Sequence, residues 1–221
     1  MKPAPPVTMT AIAVIYPQRF ITFEGLDGSG KTTQALRLGA LFEATGAEVV
    51  LTREPGGTLL GEEIRDLVLH GGDVTPWAEA ALYAAARAQH VEQLIRPALD
   101  RGATVICDRY VDSSVAYQGI ARGLGLERVL ELNLAAVGGL MPVRTILLEV
   151  AVADAAARLG GQELDRIERE GEEFRSRVAA GFRELAKRFP ERYLTLDGSA
   201  TPDAIAARIA QEFDGALRSD P

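Results

Sequence analysis

"FEGLDGSGKTTQ" (residues 23–34) places three glycines, a lysine and two threonines directly behind the apolar run Phe20, Ile21, Thr22, Phe23. Within it, Gly25-Leu26-Asp27-Gly28-Ser29-Gly30-Lys31-Thr32 matches G-x-x-x-x-G-K-[ST], a strand–loop–helix pattern that cradles polyphosphate. Backbone N–H groups approach phosphate oxygens closely only where no Cβ intervenes, hence glycine. A helix beginning near Lys31 aims its N-terminal N–H groups and the positive end of its dipole at the same anion. Lys31 then reaches the β- and γ-phosphates, and Thr32 ligates Mg²⁺. A plain strand–turn–helix corner would explain the glycines but not the lysine. Only Lys2, Lys31 and Lys187 occur, against 21 arginines.

On either side of this loop, short apolar runs alternate with long helical patterns, the signature of an α/β fold with a mainly parallel sheet. Strands are expected at 19–24, 47–52, 104–108, 144–150 and 192–196. Helices are expected at about 31–44, 58–70, 77–100, 113–118, 126–136, 152–159, 164–189 and 202–217. Thr201-Pro202 reads as an N-cap followed by proline at the first helical position. Residues 1–18 read as a flexible, Pro-rich extension in which Met9 is a possible second start, and 19–221 as one domain.

Composition narrows the function classes. A net charge of -7 argues against a nucleic-acid binder, which would show a basic face, yet leaves room for a locally basic site. The single Cys107 precludes an internal disulfide and suits a reducing compartment. No apolar run reaches the ~18 residues of a membrane span. His70 and His90 show no metal-ligand spacing.

Four further segments follow in order: "TREPGGT" (52–58), "LYAAARAQH" (82–90), "CDRYVDSSVAYQG" (107–119) and "GGQELDRIERE" (160–170). Together with "FEGLDGSGKTTQ" they resemble the thymidylate kinase family, over about residues 19 to 217, in the bacterial form whose P-loop lacks arginine. The resemblance implies a P-loop NTPase fold with a five-stranded parallel sheet and helices on both faces. It implies transfer of the ATP γ-phosphoryl group to dTMP with Mg²⁺, for dTTP synthesis, by a cytoplasmic homodimer.

It also implies roles for particular residues. Gly25 to Thr33, including Leu26, Ser29 and Thr33, would hold the ATP phosphates. Asp27 would hold the acceptor's sugar hydroxyl and water near the metal. Asp108, ending a strand, would reach Mg²⁺ beside Thr32. Arg53, Arg87 and Arg109 would bind acceptor phosphate, a role suited to arginine's planar fork. Glu54 and Pro55 would form the loop beside the monophosphate. Tyr83 stands where the family usually has a phenylalanine that stacks on thymine, four residues before Arg87 and so on one helical face. Tyr117 would pack under the deoxyribose, with Ser114 and Gln118 reading or orienting the base edge.

The lid, about 158–167, matches least well. With Ser29 in place of a P-loop arginine, a lid cation is expected, but glycines stand where a basic residue is looked for. Arg158 and Arg166 are the candidates, Arg166 favoured; either would equally serve as a helix cap or pair with Glu163 or Glu168. Gly160-Gly161 suits a hinge. Two rivals remain: a kinase for another nucleoside monophosphate or a deoxynucleoside, and a P-loop regulatory ATPase. A guanine-nucleotide switch of the second kind would carry an N-K-x-D segment after a later strand, and none occurs.

Overall fold

A computed structural model of the chain describes residues 19–160 and 165–217. The expected N-terminal extension, Gly161 and Glu163 lie outside the described residues. Five parallel strands form one sheet in the order β2-β3-β1-β4-β5: β1 Phe20–Glu24, β2 Val49–Arg53, β3 Thr104–Asp108, β4 Arg144–Glu149 and β5 Tyr193–Asp197. All five expected strands are present, in an α/β P-loop NTPase fold.

Alternation along each strand feeds two cores. Phe20, Val105, Cys107 and Leu147 face one layer, and Ile21, Phe23, Ile106, Ile146 and Leu148 face the other. The second layer is closed by α1 (Lys31–Glu43) and, nearer the C-terminus, by Pro202–Glu212. Every residue of central β1 is buried, as a sheet covered on both faces requires. Chain connections leave β1 toward β2 on one side and reach β4 on the other, so a crevice opens at the carboxyl ends of β1 and β3. There Phe23 pairs in register with Asp108.

Helix boundaries depart from expectation where the backbone finds other partners. Helix α2 spans Leu59–His70. The long helix comes as α3 (Pro76–His90), a π-helical turn Val91–Ile95 and α4 (Arg96–Asp100). Pro97 has no N–H to donate, and the widened turn accommodates it. The helix expected at 113–118 starts earlier as α5 (Val111–Ser114) and continues as a π-helical stretch, Val115–Ala121. Next come α6 (Leu126–Ala136) and α7 (Val152–Leu159). The helix expected from 164 begins only at Gly171, as α8 (Gly171–Arg188). A short 3-10 turn, Glu168–Glu170, comes first: Asp165 caps it, its Oδ1 accepting the N–H of Ile167 and of Glu168, both at 2.8 Å, and Gly171, at φ 86°, separates it from α8. The last helix divides into α9 (Pro202–Glu212) and α10 (Asp214–Leu217) around the buried Phe213. Thr201 caps α9, its Oγ1 accepting the Ala204 N–H at 3.3 Å. Among the described residues no helix is long and apolar enough to cross a membrane.

Candidate active site

The loop between β1 and α1 is held by packing as well as by turn geometry. A Cβ on Gly25 would lie 2.5 Å from the Leu148 carbonyl oxygen, and one on Gly28 2.5 Å from that of Ala155. Gly30 caps α1 in the left-handed conformation, φ 96°. Lys31 is buried and donates to the Leu26 carbonyl at 2.8 Å; its Nζ lies 3.8 Å from Asp27. Burial first, and Arg109 second, lower its pKa. The Thr32 hydroxyl donates to Asp108 Oδ2 at 2.6 Å, so the two expected metal ligands stand together beside Lys31.

Across the crevice, Arg109 follows β3 with φ 71°, the only non-glycine at positive φ among the described residues. Its N–H donates to Phe23 O at 2.9 Å, which ties the turn to β1. Its guanidinium donates to Asp27 at 2.6 Å, Ser113 Oγ at 2.9 Å and the Tyr117 hydroxyl at 3.3 Å. Burial pushes the Asp27 carboxyl up, but Arg109 and then Lys31 outweigh it and hold the group well below the usual carboxylate range.

The next wall is more heavily hydrogen-bonded than the sequence implies. Arg87 is 2% exposed. It donates to Glu54 at 2.6 Å, Ser114 at 3.0 Å and the Tyr110 carbonyl at 3.1 Å, and also to Asn133. Those bonds use four of the five N–H donors of a guanidinium. Glu54 is buried too, and its other oxygen pairs with His90 Nδ1 at 2.9 Å. Arg87, expected to bind acceptor phosphate, is therefore largely occupied by protein partners, and Glu54 in the loop expected beside that phosphate is among them. His90 is not isolated in space: its Nε2 lies 2.8 Å from Thr52 Oγ1, and Cys107 joins Glu54 and His90 in a buried group. Arg53 is a second correction. It lies at the exposed end of β2, pairs with Glu62 at 2.9 Å and does not line the cleft.

One continuous cleft joins these parts. It is lined by Asp27, Glu54, Pro55, Arg65, Leu69, Tyr83, Arg87, Arg109, Ser113, Ser114, Tyr117, Gln118, Asp165 and Ile167. Tyr83 forms an aromatic wall opposite the Asp27–Arg109 corner, where the Arg109 guanidinium sits 5.2 Å above the Tyr117 ring. The cleft thus has an aromatic side at Tyr83 and a cationic one at Arg109, and it reaches the loop between β1 and α1 at Asp27.

The two candidate lid arginines are placed differently. Arg158 donates to the carbonyls of Gly28 at 3.3 Å and Gly198 at 3.0 Å, beside the phosphate loop. Arg166 turns away, donating to Glu79 at 2.6 Å and the Val68 carbonyl at 2.8 Å. The structure thus places Arg158, and not the favoured Arg166, beside the loop between β1 and α1; a buried carboxylate on α3 holds Arg166.

A family model described as thymidylate kinase matches residues 23–209. The thymidylate kinase of Pelotomaculum thermopropionicum is 50% identical over 203 residues, covering 90% of this chain and 94% of the relative. That of Leifsonia xyli subsp. xyli is 52% identical over 202 residues, covering 90% and 96%. The chain belongs to the thymidylate kinase family. A solved thymidylate kinase from Ehrlichia chaffeensis superposes with a TM-score of 0.75 at 33% identity, covering 89% of this chain and 98% of that one.

Within this thymidylate kinase fold, sequence reasoning passed over Glu24, Ser113, Asp165 and Glu79. Glu24 ends β1 fully buried, accepting the Tyr110 N–H at 2.8 Å and the Ser113 hydroxyl at 2.6 Å. Ser113 in turn accepts from Arg109, so a buried acid stands behind the site's central cation. Burial, and then the nearby Asp112, push the Glu24 carboxyl up to about 8. An acid closing an otherwise apolar strand beside the loop was the available signal.

Proposed function

We propose that the cleft receives dTMP and the loop 25–33 receives ATP, with the phosphoryl group crossing between them at the Asp27–Arg109 corner. The chain phosphorylates dTMP to dTDP with ATP, a step of dTTP synthesis. The observation that carries this reading is the continuity of one cleft from the phosphate loop, through Asp27, Arg109 and Tyr117, to the aromatic wall at Tyr83.

Phosphoryl transfer asks little covalent work of the protein; positioning and charge stabilisation do most of it. Loop N–H groups and the α1 N-terminus hold the donor phosphates. Lys31 exchanges its bond to Leu26 for the β/γ-phosphate oxygens. Arg109 neutralises the acceptor phosphate while Asp27 fixes its orientation. Arg158 stands where a lid cation is needed. Arg87, held by Glu54, Asn133 and Ser114, supports this wall and has one N–H left for the ligand. Tyr83 stacks on the base, Tyr117 packs under the sugar, and Ser114 and Gln118 border the base edge. Pro55 and Arg65 close the phosphate end, where Arg65 donates to the Pro55 carbonyl at 3.1 Å.

Mg²⁺ fits at Thr32 and Asp108, whose hydroxyl and carboxylate are the hard oxygen donors that cation takes; bound there it would neutralise charge developing on the phosphoryl oxygens. The working unit is read as a cytoplasmic homodimer, supported by exposed Leu36, Leu41, Leu59, Leu67 and Trp77. ADP formation measured with each nucleoside monophosphate, and with none, tests the function. Rapid turnover with dTMP alone is expected. Equal turnover with every acceptor, or ATP hydrolysis without one, overturns it.

A further inference from the structure

Glu79 lies in the first turn of α3 with no exposed surface. One carboxylate oxygen accepts from Gln118 Nε2 at 2.9 Å and Arg122 Nε at 3.2 Å. The other accepts from Arg122 Nη2 at 3.2 Å and Arg166 Nη2 at 2.6 Å. A carboxylate offers about four lone-pair positions, and all are filled. These donors come from two distant parts of the chain, the stretch around 118–122 and the segment following the lid. Arg122 also pairs with the more exposed Glu170, so two acids balance two arginines around the buried Glu79 carboxylate.

The segment after the lid is seated by the same group. The Arg166 backbone N–H donates to Leu69 O at 3.0 Å, at the C-terminal end of α2, where a cation is favoured. Its neighbours Asp165 and Ile167 line the cleft. Tyr83, one helical turn beyond Glu79, lines it from α3. Glu79 thus holds three walls of the cleft to one carboxylate.

We infer that Glu79 is a positioning residue for the acceptor nucleotide, and that it makes acceptor binding and seating of the segment behind the lid a single equilibrium. Neutralising it leaves two arginines in a buried corner without their shared anion. Arg166 swings out, Asp165 and Ile167 leave the cleft, and the site loses the wall facing Tyr83.

This inference rests on the reading of the cleft as the dTMP site. The test uses the full chain, Glu79→Gln, Arg166→Gln and the double variant. KM for dTMP and for ATP is measured by ADP formation, with amide hydrogen exchange of residues 165–170 with and without dTMP. Each single variant should raise KM for dTMP by at least about tenfold, only part of what breaking a buried ion pair costs, and KM for ATP by less than about twofold. The double variant should be no worse than the worse single one, because both remove the same interaction. In the unaltered chain dTMP should slow exchange at 165–170; in the variants it should not. If Glu79→Gln does not fold, Arg166→Gln, at a partly exposed side chain, carries the same tests. Unchanged KM for dTMP in an active, folded variant, equal loss for both nucleotides, or additive single effects overturn the inference. Absence of dTMP-dependent ADP formation in the unaltered chain overturns the functional reading, and the inference with it.

Discussion

Arg87→Ala isolates the scaffold beneath the acceptor site. Truncation removes the 2.6 Å bond to Glu54, the 3.0 Å bond to Ser114, the 3.1 Å bond to Tyr110 O and the bond to Asn133. Arg87 is 2% exposed and Glu54 4%, so solvent cannot repair the loss. Breaking a buried pair from one side leaves an uncompensated charge and costs about 3–5 kcal/mol. For a chain of this length each kcal/mol shifts Tm by roughly 2–4 °C, which gives a fall of roughly 6–20 °C. Scanning calorimetry measures that directly. At a temperature where the variant remains folded, KM for dTMP should rise far more than KM for ATP, because Ser114 and Glu54 line only the acceptor cleft. Arg87→Lys should restore little, since a point charge cannot fork to four partners. A Tm within about 2 °C of the parent would show that this network contributes little to stability and would refute the reasoning, as would equal weakening of both nucleotides.

Lys31→Ala should lower kcat by a factor of about 100 or more while the fold survives, since a fixed cation at a transferring phosphoryl group contributes several kcal/mol; retention of more than about a tenth of parental kcat contradicts the role. Arg158→Ala should lower kcat more than it raises KM for ATP, the pattern of a contact made chiefly in the reacting state; single-turnover rates check it, and an unchanged kcat removes Arg158 from catalysis. Glu24→Gln tests the buried acid by pH. A carboxyl pushed up to about 8 from 4.5 keeps its proton in the fold after the unfolded chain has released it. The native state then binds more protons between those values, so the parent loses stability as pH rises through that window. Urea titrations at pH 5 and pH 9 should show the variant gaining on the parent at the higher pH, and parallel curves would exclude the shift.

Much of this architecture was legible because strand and loop obey local rules. Apolar runs of five or six residues, separated by helical periods, located all five strands. The lysine in a glycine loop marked the turn between β1 and α1, where the proposed phosphate site lies. What escaped was set by contacts distant in sequence. Arg53 and Arg87 both look like phosphate ligands in the chain, and only burial separates the exposed one from the scaffold. Arg158 and Arg166 differ in placement because Glu79, 87 positions before Arg166, captures it. The start of α8 was misplaced because periodicity runs through Gly171, whose left-handed backbone separates α8 from the short turn that Asp165 caps.

The phosphate loop's glycines are forbidden other identities for unlike reasons, and mutational tolerance there will need separate reading at each position. At Gly25 and Gly28 the obstacle is the protein's own carbonyls, so even a chain relieved of selection for activity would keep glycine to hold β4 and α7 in place. At Gly30, among the described residues, nothing beyond its chain neighbours lies within 4 Å of the missing Cβ, and the left-handed backbone is what resists replacement. A library selected for folding alone should therefore retain Gly25 and Gly28 while letting asparagine and aspartate drift into position 30, and a second selection for turnover should expel whichever of them crowd the nucleotide.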